Sequence, residues 1–160
     1  MKIKGIDYDI FYLNIFNSGV IFIVAPDKEA FLKAIPSVMK DAIADKNHRK
    51  QLTIDLIDCI SKDRILYPGT TFEDFTSDGV QYLIVILRKG ETKEKLERTI
   101  PHEMFHAVYK LCKERGIEDE ETQAYMLEYL CDKAFSTLRE FNEDDKKVTT
   151  KKVKSKPKKK

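Results

Sequence analysis

The chain has 160 residues, 42% of them apolar and 35% charged, which suits one packed domain and excludes a largely disordered chain. The net charge of +2 hides an asymmetry: residues 146–160 hold nine lysines and no acid, so residues 1–145 carry about −7, which speaks against a broad nucleic-acid surface on the body. Three cysteines, Cys59, Cys112 and Cys131, are too few for a disulfide framework and point to free thiols in a reducing compartment.

From the N-terminus, Asp7 and Asp9 fall where a secretory signal needs an apolar run. No segment approaches the roughly 18 apolar residues of a membrane span, so a cytoplasmic protein without membrane contact is expected. Residues 10–16 and 20–25 are apolar and flank Asn17-Ser18-Gly19, a turn triplet in which Gly19 can take positive φ, and this predicts a β-hairpin. Asp27 is placed to cap a helix carrying Ala30, Phe31, Ala34 and Ile35, which Pro36 should break or restart before Val38. Residues 50–61 form a second helical stripe of Leu52, Leu56, Cys59 and Ile60, after a polar connection that contains His48.

Tyr67-Pro68-Gly69 reads as a turn, and residues 70–75 and 80–87 as two strands joined through Thr76-Ser77-Asp78-Gly79. The second strand is apolar on both faces and should lie inside the sheet or under a helix. A polar link, 88–98, leads to Pro101 in the first turn of a helix that ends at Gly116, with Lys113 and Arg115 near its C-terminus. Asp119 caps the last helix. The domain should close near Phe141, leaving residues 144–160 with almost nothing to bury and therefore unstructured.

His102-Glu103-Met104-Phe105-His106 is H-E-x-x-H. On a helix the i, i+4 spacing puts both imidazoles on one face, where each can offer a nitrogen to one tetrahedral zinc ion. Glu103, one step around the axis, is positioned as the general base that takes a proton from water and delivers it to a leaving group. A metzincin continuation would need glycine at position 109 and histidine at position 112, where the chain has Tyr109 and Cys112, so that class is excluded. Cys112, six residues beyond His106, lies about 240° around the axis and is read as a buried thiol rather than a ligand.

Glu121-Thr122-Gln123-Ala124 resembles the E-x-x-A glutamate helix of gluzincins, and the run on through Leu130, with the H-E-x-x-H helix before it, is similar to short phage-encoded zincin-like proteins. The resemblance covers about residues 80–130. It implies an α+β zincin-like domain in which a small β-sheet packs on the active-site helix and a glutamate helix follows. It also implies that Glu121 is the third zinc ligand beside His102 and His106. In a tight antiparallel hairpin about Gly116, however, Glu121 falls roughly 8 Å short of His106 along the axis and Glu128 lies level with it, so both glutamates are candidates. Tyr125, one turn after Glu121, is a candidate hydrogen-bond donor to a developing oxyanion or to a ligand carboxylate, with core packing as its other reading.

These residues together point to a zinc-dependent peptidase acting on a peptide or protein substrate, with an extended peptide held at a sheet edge in the region of the 80–87 strand. The alternatives are a catalytically inactive zincin-type interaction protein, and a polyanion-binding or nucleic-acid-binding role for the lysine-rich tail. That tail has no aromatic residues for base stacking.

Overall fold

Apolar alternation with period two gives three of the strands two distinct faces. On the strand β2 (Ile6–Leu13) one face carries Ile6 and Tyr8 and the other Phe11 and Leu13; on β3 (Ser18–Ala25) Ile21, Ile23 and Ala25 oppose Val20, Phe22 and Val24. On β5 (Gln81–Arg88) Tyr82, Ile84 and Ile86 oppose Leu83, Val85 and Leu87. Two apolar faces require cover on both sides. The computed structural model, which describes residues 1–3, 6–13, 17–62, 69–75 and 81–154, supplies it as an α+β domain.

With the short β1 (Lys2–Ile3) and β4 (Gly69–Phe75), the strands form one five-stranded sheet in the order β1-β2-β3-β5-β4. Only β3 and β5 pair in parallel; the other neighbours are antiparallel. The helices α1 (Lys28–Ala42) and α2 (Lys46–Lys62) cover one face, with Phe31, Ile35, Met39 and Leu56 packed on Tyr8, Ile21 and Ile84. The helices α3 (Lys93–Arg115) and α4 (Glu120–Lys154) cover the other, with Ile100, Met104, Leu111, Leu130 and Ala134 packed on Phe22, Leu83 and Val85. The expected sheet packed on the H-E-x-x-H helix and its successor is therefore half of the domain, and α1 with α2 is the other half.

β5 is buried from Gln81 to Leu87 and has partners on both sides, as its doubly apolar sequence requires. That corrects the expectation that its region supplies an open sheet edge: β4 holds that position, lying outside β5 and beside α3. The hairpin of β2 and β3 forms in the register Leu13 with Ser18 and Tyr12 with Gly19. Its positive φ belongs to Asn17 (46°), not to Gly19. Gly19 instead lies within β3, where an added Cβ would come 3.1 Å from the Tyr82 ring, so the glycine serves close approach rather than a turn. The Tyr67-Pro68 and Thr76–Gly79 turn readings lie outside the described residues.

Both internal prolines depart from expectation. α1 runs unbroken through Pro36, and α3 begins at Lys93, eight residues before Pro101. A proline removes one backbone bond and crowds the carbonyl four residues earlier, at a cost of about 3 kcal/mol. In α1 the stripe of Phe31, Ala34, Ile35, Val38, Met39 and Ala42 is buried on both sides of Pro36, and this continuous burial offsets the loss. In α3 the carbonyl concerned belongs to exposed Glu97, which water can reach. Thr92 supplies a cap upstream by accepting from the Lys95 amide at 3.3 Å, and Lys95 pairs with Glu91 at 2.9 Å.

Capping explains the other boundaries. The Asp27 carboxylate accepts from the Ala30 amide at 2.7 Å, and Asp119 from the Thr122 amide at 2.7 Å. Asp45 accepts from the His48 amide at 2.6 Å, so α2 starts at Lys46 and His48 sits in its first turn rather than in a connection. Gly116, at φ 64°, closes α3 in the left-handed conformation, its amide bonding Cys112 and Lys113 carbonyls. α4 continues past Phe141 to Lys154, into the segment expected to be unstructured. Lysine and glutamate are good helix formers, so propensity extends a helix already nucleated by packing.

Candidate metal centre and general base

α3 lies along the sheet with Ile100, Met104, Ala107, Val108 and Leu111 buried beneath it. At about 100° per residue, His102 and His106 both fall on the side opposite Met104, and Glu103 falls on a flank. Burial follows this arithmetic: His102 is exposed, His106 is half-buried and Glu103 is 6% exposed. The two Nε2 atoms stand 3.1 Å apart, with ring planes at 88° to each other. Two imidazole ligands at 2.0–2.1 Å from one tetrahedral zinc would have nitrogens about 3.3 Å apart, so this donor pair fits a shared ion.

The buried flank of α3 faces β4. Thr71, opposite Val85 in the β4–β5 register, donates from Oγ1 to Glu103 Oε2 at 2.7 Å and also lies 3.1 Å from the Glu103 carbonyl oxygen. This partner was invisible in the sequence, since nothing in the local spacing relates residue 71 to residue 103.

Glu121 is not brought to the histidine pair. Among the described residues, no group of three His, Cys, Asp or Glu side chains is assembled to hold a metal. The reason is the register of the α3–α4 hairpin. Cys112 Sγ meets Met126 Sδ at 3.8 Å, so these residues are level. His106 lies six residues from that point, away from the hairpin turn, and Glu121 five residues from it, toward the turn; at 1.5 Å per residue the two are about 16 Å apart along the axes. Glu128, on the same reckoning, is about 6 Å from the level of His106.

Tyr125 is 67% exposed, out of the core and on the outer side of α4. Phe105, Tyr109 and Tyr129 are also exposed; Phe105 stacks on Tyr109 at 6.5 Å and lies 6.2 Å from the His106 ring. The Tyr129 ring carries the Lys133 ammonium at 5.6 Å. Cys112 is 2% exposed in the core, as read from its helical position, and burial pushes its thiol pKa up. Burial, and then the neighbouring Asp132 carboxylate, do the same for Cys131. Neither thiol is set up as a ready thiolate ligand. The Cys59 side chain lies outside the described residues.

No family model matches the chain, and neither does any curated protein or solved structure. Among the described residues, no helix is long and apolar enough to cross a membrane.

Proposed function

We propose that the chain is a zinc-dependent hydrolase of the zincin type, cleaving peptide bonds. The observation that carries this reading is the His102–His106 pair, with Nε2 atoms 3.1 Å apart on one turn of α3 and Glu103 next to it in sequence. His102 and His106 hold the ion. When bound, zinc supplies Lewis acidity toward a carbonyl and lowers the pKa of water. Glu103 takes the proton from the attacking water on its carboxylate and returns it to the leaving amine. β4, at the sheet edge beside α3, offers backbone amides and carbonyls with which an extended peptide can pair.

The test is metal content by elemental mass spectrometry, with hydrolysis of a peptide library, on the native-purified protein and three variants. About one zinc per chain is expected, lost in His106→Ala. Glu103→Gln should keep the zinc and lose activity by about 10²–10⁴-fold, the usual contribution of a general base. Glu121→Ala should keep the zinc, because the hairpin register holds that carboxylate away from the pair; loss of zinc would restore Glu121 as the third ligand. A native protein that takes up no zinc would sink the proposal.

One observation favours a second reading, an interaction protein on a zincin-type scaffold: Phe105, Tyr109, Tyr125 and Tyr129 lie exposed on α3 and α4, with the Phe105 ring 6.2 Å from that of His106. Under that reading Glu103→Gln leaves function intact, and substitution of the aromatic residues abolishes it.

A further inference from the structure

Glu103 presents a problem that its place in the sequence does not solve. A glutamate has three rotatable side-chain bonds, and a base must be held within a fraction of an ångström of its working position to act on a water. Glu103 is also 6% exposed, so its carboxylate needs a partner inside the protein. Thr71 provides both. Its hydroxyl donates to Oε2 at 2.7 Å, within the short range of a charge-assisted bond, and its oxygen lies 3.1 Å from the carbonyl of the same residue. One side chain thus touches the backbone and the head group of Glu103 and fixes the span between them.

We propose that Thr71 is a positioning residue: it anchors Oε2 of Glu103 to the edge strand β4 and turns Oε1 to the proton transfer. The inference rests on the hydrolase reading. It goes further by making the strand that pairs with the substrate also the support of the base, so peptide docking and base placement share one element. Threonine suits the position on two grounds. Its β-branched body fits the strand opposite Val85, and its hydroxyl reaches the helix; valine keeps the first property and loses the second.

The experiment uses the full zinc-loaded chain and a peptide that the wild type cleaves, and it compares Thr71→Val, Thr71→Ser and Thr71→Ala. Thr71→Val should retain about one zinc, keep KM within about twofold and lose about tenfold or more in kcat, the pattern of an interaction needed only in the reacting complex. Thr71→Ser, which restores the hydroxyl, should recover kcat to within about threefold of wild type. A residue that merely satisfied a buried carboxylate would change the melting temperature without this split between kcat and KM. Wild-type kcat in Thr71→Val overturns the proposal, as does equal impairment of Thr71→Val and Thr71→Ser. Should Thr71→Val fail to fold, Thr71→Ala carries the same expectation, and wild-type kcat there overturns it equally. A wild type with no zinc-dependent hydrolysis overturns the hydrolase reading and this inference with it, whereas an active wild type beside an unaffected Thr71 variant overturns this inference alone.

Discussion

The two helical layers rest on the same sheet and bury comparable apolar sets against it, yet their outer sides differ. Beneath α1 and α2 the core holds Phe31, Ile35 and Met39; beneath α3 and α4 it holds Ile100, Met104 and Leu130, all fully buried. Outside, α3 and α4 expose Phe105, Tyr109, Tyr125 and Tyr129, while among the described residues of α1 and α2 Ile54 is the large apolar side chain that is exposed. Since the inner side chains of both layers are fully buried, the exposed aromatics do not result from a poorly packed layer. On the proposed reading the two layers divide two tasks, α1 and α2 contributing stability and the outer side of α3 contributing chemistry.

Three perturbations would sharpen or break that division. The largest effect is expected from Phe31→Ala, which opens a cavity in the α1 layer and should cost about 3–5 kcal/mol in denaturant unfolding. Zinc stoichiometry should stay unchanged wherever the variant remains folded, and zinc loss in the folded variant would show that the layers are not separable. A smaller and pH-dependent effect belongs to Tyr8. Burial, and then the Asp41 carboxylate that accepts its hydroxyl at 2.6 Å, push its pKa from 10.0 up to about 12. The folded state therefore keeps a proton that the unfolded chain gives up. Its stabilisation is complete below about pH 10 and is lost as pH rises toward 12. Melting temperature against pH should fall in that window, and Tyr8→Phe should flatten the fall. The smallest effect is expected on the outer side of α4: Tyr125→Ser should change stability by no more than about 0.5 kcal/mol, and a larger loss would mean that this aromatic side chain supports the fold.

Local chemistry was legible in the sequence wherever a residue acts on its own neighbourhood. Asp27, Asp119 and Gly116 cap helices as their side chains and backbone freedom require, the Gln81–Arg88 strand is interior because it is apolar on both faces, and His102 and His106 meet because helix geometry alone brings them together. What remained hidden depends on partners distant in the chain. Pro36 and Pro101 are tolerated because of burial and exposure around them, which no local rule records. Gly19 answers to Tyr82, and Glu103 to Thr71, across separations that only the sheet closes. The place of Glu121 was undecidable for the same reason, since the register of the α3–α4 hairpin shows only in contacts across it, such as Cys112 with Met126.

The parallel pairing of β3 with β5 also bears on how the chain reaches this structure. The hairpin of β2 and β3 can close as soon as residue 25 is available, but the other side of β3 is completed only when Ser18 meets Gln81 and Ala25 meets Arg88. Until then a fully buried strand of the final protein, Ser18–Ala25, presents an open apolar edge. Non-local parallel pairing of this kind is slow, so refolding should be rate-limited by docking of β5, and losses to aggregation should rise with protein concentration during that interval.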